Sequence, residues 1–233
     1  EYEFVFSNIF GKTSKEILLH FSSPAEFESI TSEQLETALE QVSFKKFASK
    51  KISCISNIAK TSFGITFAVQ SLTLQLKLLI KQINFIEQQV HDVEIQIKQL
   101  LHKINTPITT IPGIGDIIGA TILGEIGDIE RFSNPSKLVA YAGIDASVHQ
   151  SGDYISTNNK MSKRGSPYLR TALFRAALIA SVHDPVFKAY YQKKRSEGKH
   201  HLTCLGAVAR KLCYTIHAIL KNNCEYKVQL PTE

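Results

Sequence analysis

From Val69 to Ile104 apolar side chains recur in steps of three and four without a break. The series is Val69, Leu72, Leu76, Leu79, Ile83, Ile86, Val90, Val93, Ile97, Leu100 and Ile104. This is the a/d seam of a heptad repeat, sustained over about five heptads. No Pro or Gly interrupts residues 66–105, which predicts one helix of about 60 Å at 1.5 Å per residue. A seam of that length cannot bury itself. It needs a partner, either a second copy of the chain or an earlier helix of the same chain, and we expect a dimerising arm.

The arm divides the chain. Residues 1–62 read as short helices, with Ser23-Pro24 as a break and Thr31 with Gln34 as a capping box. Residues 63–105 are the coiled-coil arm, which Thr106-Pro107 ends. Residues 106–233 read as a compact helical domain. Its helices start at Asn134-Pro135, Ser166-Pro167 and Asp184-Pro185, and the last covers about residues 202–222. Residues 144–160 carry the Gly, Asn and Ser of a loop or short β-hairpin. The expected fold class is mainly α: a long coiled-coil helix, then a compact helical domain holding a helix-hairpin-helix and a short β-hairpin or loop.

Several classes are excluded. The opening EYEFVFSNIF has no basic n-region and no cleavage site of a signal peptide. The most apolar run, Gly64 to Ile80, is broken by Gln70, Ser71, Thr73, Gln75 and Lys77 and is too polar to span a bilayer. Cys54, Cys204, Cys213 and Cys224 show no CxxC spacing. We expect four buried, reduced thiols, a cytoplasmic protein and no membrane partner. The chain begins at Glu1 and its one methionine is Met161, from which we expect a piece of a longer protein.

Charge is segregated. The net charge is +6, yet residues 158–221 hold thirteen Lys and Arg against Asp184 and Glu197, a net +11 that leaves −5 for the remainder. A polyanion partner for the C-terminal third follows from that asymmetry, with a merely solvated basic face as the bland reading.

Residues 109–127, TTIPGIGDIIGATILGEIG, have the form of a helix-hairpin-helix. Ile111-Pro112-Gly113-Ile114-Gly115 makes the turn, and Ala120 is the small residue in the second helix. Glycines permit a tight turn at positive φ, and the second helix offers free N–H groups to an anion. Gly113, Ile114 and Gly115 are therefore candidates for binding DNA backbone without reading a base. Asp116 stands against a phosphate there, or serves as a cap. The bland reading is a plain helix–helix turn.

Ser151, in VHQSGDYISTNNKMSKRGSPYLR, admits three readings. Ser-Gly is a common turn dipeptide. His149, Ser151 and Asp153 share one strand face, but parallel side chains do not converge as a hydrolase triad must. Alternatively, the Ser151 hydroxyl attacks a DNA phosphate, with Lys163, Arg164, Arg170 and Arg175 stabilising the developing charge and Gly165 allowing close backbone approach.

The order IPGIG…A…LGEIGDIERFSNPSKLVAYAGIDASVHQSGDYISTNNKMSKRGSPYLRTALFRAA resembles the C-terminal domain of the DEDD-type bacterial insertion-sequence transposases, the bridge-RNA-guided recombinases. The likeness is close over residues 107–182 and looser upstream. It implies that Ser151 is a nucleophile forming a covalent link to DNA, flanked by Gln150 and Gly152, with Arg164 and Arg170 at the matching KRG…LR positions. It also implies DNA and a guide RNA as partners, and a ribonuclease-H-like domain whose four acids bind divalent metal (magnesium). Residues 1–62 offer no such acidic set. The resemblance therefore implies a chain that holds no metal cofactor itself, binds nucleic acid and does not recombine it alone. The rivals are a non-enzymatic helix-hairpin-helix module that holds DNA, and a coiled-coil adaptor whose basic end is incidental.

Overall fold

The computed structural model describes residues 2–31, 33–34, 45–62, 67–145, 150–151, 154–155 and 161–228, with the backbone alone for 45–50, 52–53, 150–151 and 154–155. The described helices are α1 (Lys12–His20), α2 (Pro24–Glu28), α3 (Lys45–Thr61), α4 (Val69–Ile104), α5 (Asp116–Ile126), α6 (Pro135–Ala142), α7 (Pro167–His183), α8 (Pro185–Ser196) and α9 (His201–Asn222). Between α6 and α7, β1 (Gln150–Ser151) pairs antiparallel with β2 (Tyr154–Ile155). The fold is mainly α, as expected, and the hairpin is present. The chain forms two compact units, Glu1–His91 and Asp92–Glu233, and the division falls inside α4.

The first unit is built on a small cluster of Val5, Phe6, Ile17, Phe27, Ile55 and Ala59. Ser23 caps α2 by accepting the Glu26 N–H at 3.3 Å, and Pro24 follows at the first turn. The capping box at Thr31 is made in both directions. The Gln34 N–H donates to Thr31 Oγ1 (3.4 Å), and the Thr31 N–H donates to Gln34 Oε1 (3.2 Å). Burial pushes the Tyr2 phenol up to about 12, against a lowering hydrogen bond with Ser14.

Within this unit α4 does not present its seam inward. Ile80, off the predicted series, is the buried residue of this stretch at 4% exposure. One turn or two away, Glu87 pairs with the buried Lys15 of α1. Leu72, Leu79, Ile86 and Val90 stay more than 40% exposed, as do Val93, Leu100 and Ile104 in the part of α4 that belongs to the second unit. The stripe used inside the chain is thus rotated from the heptad seam, and among the described residues most of the seam is uncovered.

The second unit has a larger core in which α7 and α9 are the central helices; α5, α6 and α8 pack on one or both. Ile108, Ile111, Ile114, Ile122 and Ile126 are at most 3% exposed, and each contributes about 2 kcal/mol through burial. The Ala face of α7 (Ala172, Ala176, Ala177, Ala180) keeps its neighbours close. The helix starts are those expected, each with a side-chain cap and Pro in the first turn. Asn134 accepts from the Lys137 N–H (3.1 Å), Ser166 from Leu169 (3.0 Å), and Asp184 from both Val186 and Phe187 (2.9 Å). Cys204 and Cys213 are buried, and burial raises the Cys213 thiol to about 12. Cys54 and Cys224 are exposed, contrary to expectation, because both lie outside the packed faces of their segments.

Candidate nucleic-acid interface

The Ser151 hairpin leaves the end of α6 and returns just before α7, and its base is closed by a short backbone ladder. The Ser162 N–H donates to the Asp145 carbonyl (2.9 Å), and the Lys163 N–H donates to the Gly143 carbonyl (3.0 Å). The Ser166 N–H donates to the Tyr141 carbonyl (2.8 Å). The Ser162 hydroxyl also donates to the Asp145 carboxylate, and the Ser166 hydroxyl to Glu125 Oε2 (2.6 Å).

Two glycines allow this crossing. Gly143 ends α6 at φ +66, and a Cβ on Gly165 would lie 1.9 Å from the Tyr141 carbonyl oxygen. The close approach read from Gly165 is therefore made to the end of α6. Lys163, between them, sits at φ +53, a conformation that costs a side-chain-bearing residue about 1 kcal/mol. At the tip, Gln150 pairs with Ile155 and Ser151 with Tyr154. Gly152, Asp153 and His149 lie outside the described residues.

The hairpin base forms part of the wall of an open groove of about 1540 Å³ between α7, α8 and α9. Asp145, Met161 and Lys163 come from the hairpin base, and Arg170 and Arg175 from α7. Lys194, Lys199, Arg210 and Lys211 complete the cationic lining, against which Asp145 is the one lining acid among the described residues. Glu197 pairs with Lys194 and Lys199, both at 2.8 Å. Those two lysines hold its carboxyl down near 2, Lys194 first. Among the described residues no carboxylate pairs with Lys163, Arg175, Arg210 or Lys211. Tyr214 shares a hydrogen bond with Ser136 (3.0 Å). That bond first, and Arg210 second, hold its phenol below the usual tyrosine range.

The structure brings some predicted residues together and separates others. Lys163 and Arg170 share the groove. One Arg170 N–H is spent on the Ala142 carbonyl (3.2 Å) at the end of α6, where a cation complements the helix dipole. Arg164 is exposed beside them in sequence. The helix-hairpin-helix turn lies elsewhere. A Cβ on Gly113 would meet the Ala176 carbonyl oxygen at 2.5 Å, and Ile114 is 3% exposed with its N–H donated to Ile111.

Gly113 and Ile114 are thus turned into the protein. What this turn offers outward is Gly115, which is exposed, and the first turn of α5. There Asp116 faces Lys98 at 3.6 Å. At about 3.6 residues per turn, the Ala176 and Ala180 contacts lie on the face of α7 opposite Thr171, Phe174, Arg175 and Leu178, which line the groove. Lys194, Lys199, Arg210 and Lys211 were absent from the predicted site. Arg210, Lys211 and Tyr214 sit one turn apart in sequence, and that spacing is the signal that could have flagged them.

Residues 105–192 match the family model described as Transposase IS116/IS110/IS902 family. Over that segment, rather over a third of the chain, the sequence is similar to this family. Relatives agree. The IS110 uncharacterized 43.6 kDa insertion-element protein of Streptomyces coelicolor is 28% identical over 66% of this chain and 38% of its own length. The IS900 uncharacterized 42 kDa insertion-element protein of Mycobacterium paratuberculosis is 30% identical over 64% of this chain and 38% of its own. The pilin gene-inverting protein of Moraxella bovis is 33% identical over 50% of this chain and 36% of its own. The chain thus spans less than two fifths of the length of these relatives. Among the described residues no three His, Cys, Asp or Glu gather in one place. No described helix is long and apolar enough to cross a membrane.

Proposed function

We propose that this chain is the DNA-handling part of a transposase or recombinase in which the Ser151 hydroxyl attacks a DNA phosphodiester. The observation that carries the reading is the closed base of the Ser151 hairpin at the wall of a cationic groove, within the segment matched to the transposase family. The gene-inverting name of a relative supports it, since inverting a gene requires DNA strands to be cut and rejoined.

In the step proposed, the Ser151 Oγ–P bond forms as a P–O bond to a deoxyribose breaks. The hydroxyl proton leaves to solvent, and the departing deoxyribose oxygen takes up a proton. The phosphodiester bond is exchanged for a phosphoserine ester of similar energy, so a hydroxyl of a second strand can reverse the attack and rejoin the ends. Lys163, Arg164 and Arg170 neutralise the phosphate as charge builds on its oxygens. Gln150 and Gly152 flank the nucleophile. Gly115 and the first turn of α5 grip backbone on the other side of α7. A guide RNA selects the target by base pairing, and magnesium is held by acids from outside this chain. The exposed seam of α4 joins two copies, so that two DNA partners meet in one assembly.

The test is a covalent adduct. With the upstream coding region, guide RNA, cognate DNA and magnesium supplied, a DNA–protein adduct should survive a denaturing gel. Ser151→Ala should abolish it and Ser156→Ala should not. Loss in Ser156→Ala alone would move the nucleophile. DNA binding without any adduct would leave a binding module.

A further inference from the structure

We propose that the groove between α7, α8 and α9 binds a single-stranded nucleic-acid segment, an unstacked base on its apolar floor and the phosphates on its cationic rim. This deepens the reading above and rests on it, since it takes the C-terminal unit to bind nucleic acid. The groove has two chemistries at once. Its floor is carbon, from Met161, Phe174, Leu178, Leu202 and Leu205, with Leu178 45% and Leu202 59% exposed. Its rim is cationic, and Lys163, Arg175, Arg210 and Lys211 have no carboxylate partner among the described residues.

A duplex shows phosphates outward and keeps its bases stacked within. It would satisfy the rim and leave the floor in water. A single strand presents both a charged backbone and apolar base faces, and so fits both surfaces.

Two local features support this. Gly206 lies in mid-helix on the groove side of α9. A Cβ there would sit 3.6 Å from Phe174 Cζ and 3.7 Å from Met161 Cε, so its missing side chain keeps the floor open without any backbone need for glycine. Aromatic rings also lie among the cations. Lys211 is 5.0 Å and Lys194 5.7 Å from the Tyr190 ring. Tyr214, hydrogen-bonded to Ser136 at 3.0 Å, lines the groove beside Arg210 and Lys211.

The test is fluorescence anisotropy on the full chain at fixed salt, with labelled oligo-dT and oligo-U of about twelve nucleotides and a duplex of the same length. Gly206→Leu fills the floor at an ordinary helical position. It should weaken single-strand binding about ten-fold and duplex binding less than about two-fold. Gly206→Ala should bind as wild type does. Leu202→Glu, at an exposed position, should repeat the loss should Gly206→Leu misfold. Tighter binding of oligo-dT identifies a DNA strand, and tighter binding of oligo-U an RNA strand; either supports the proposal. Duplex bound as tightly as both single strands, with Gly206→Leu and Leu202→Glu changing neither, would overturn it and leave the Ser151 reading intact. No binding of any probe by folded wild type would overturn both.

Discussion

Gly165 carries a constraint that its neighbours do not relieve. Its Cα faces the Tyr141 carbonyl oxygen so closely that even a methyl group would sit at 1.9 Å. The end of α6, the return of the Ser151 hairpin and the start of α7 are held by that crossing. Gly165→Ala should therefore destabilise the protein by about 3 kcal/mol or more, read as a fall in thermal midpoint, because backbone must move on both sides. A stable Gly165→Ala variant with unchanged nucleic-acid binding would show that the crossing is not needed. A second residue sets an alkaline limit. Burial first, then the hydrogen bond to Asp184 and its charge, raises the Tyr226 phenol above its ordinary value of 10.0. Below that value both folded and unfolded chains keep the proton. Above it the unfolded chain loses its proton first, so stability falls as pH rises from about 10. Tyr226→Phe should flatten that fall in chemical denaturation between about pH 10 and 12, although it removes a bond to Asp184. An equally steep fall in the variant would assign the limit to other groups.

Among elements, α4 shows what patterning reveals and what it hides. Its continuity and its end before Thr106-Pro107 follow from local chemistry, and both are observed. The Pro-initiated helices α6, α7 and α8 are legible for the same reason, a side-chain cap and a Pro acting within one turn, whereas Ser23-Pro24, read as a break, starts α2. The stripe centred on Ile80 was not legible, because it depends on where the first unit packs rather than on a repeat. The bare seam carries its own prediction. Ile86→Glu with Val93→Glu should abolish self-association in sedimentation experiments while leaving helicity unchanged, since both positions are already exposed, at 57% and 53%. A wild-type chain that stays monomeric at all concentrations would contradict the seam's assignment to a second copy.

Across the whole molecule, segregated charge is the feature most plainly written in the sequence, and the groove is where much of it gathers. Composition located the basic third but not its shape. Lys194, Arg210 and Lys211 line one groove with Lys163 only after three helices dock, and the contact of Gly113, a candidate for binding DNA backbone, with α7 arises from the same docking. Ser151 was legible as a candidate from the motif around it, and the structure adds the closed hairpin base and the adjoining groove. The most direct measurement is to digest the trapped DNA–protein adduct of the assembled enzyme and locate the nucleotide by mass spectrometry. The account predicts a nucleotide phosphate on the peptide containing Ser151, fragmented to that serine. A nucleotide mapped to Ser156, to a tyrosine, or to a peptide outside this chain would contradict it.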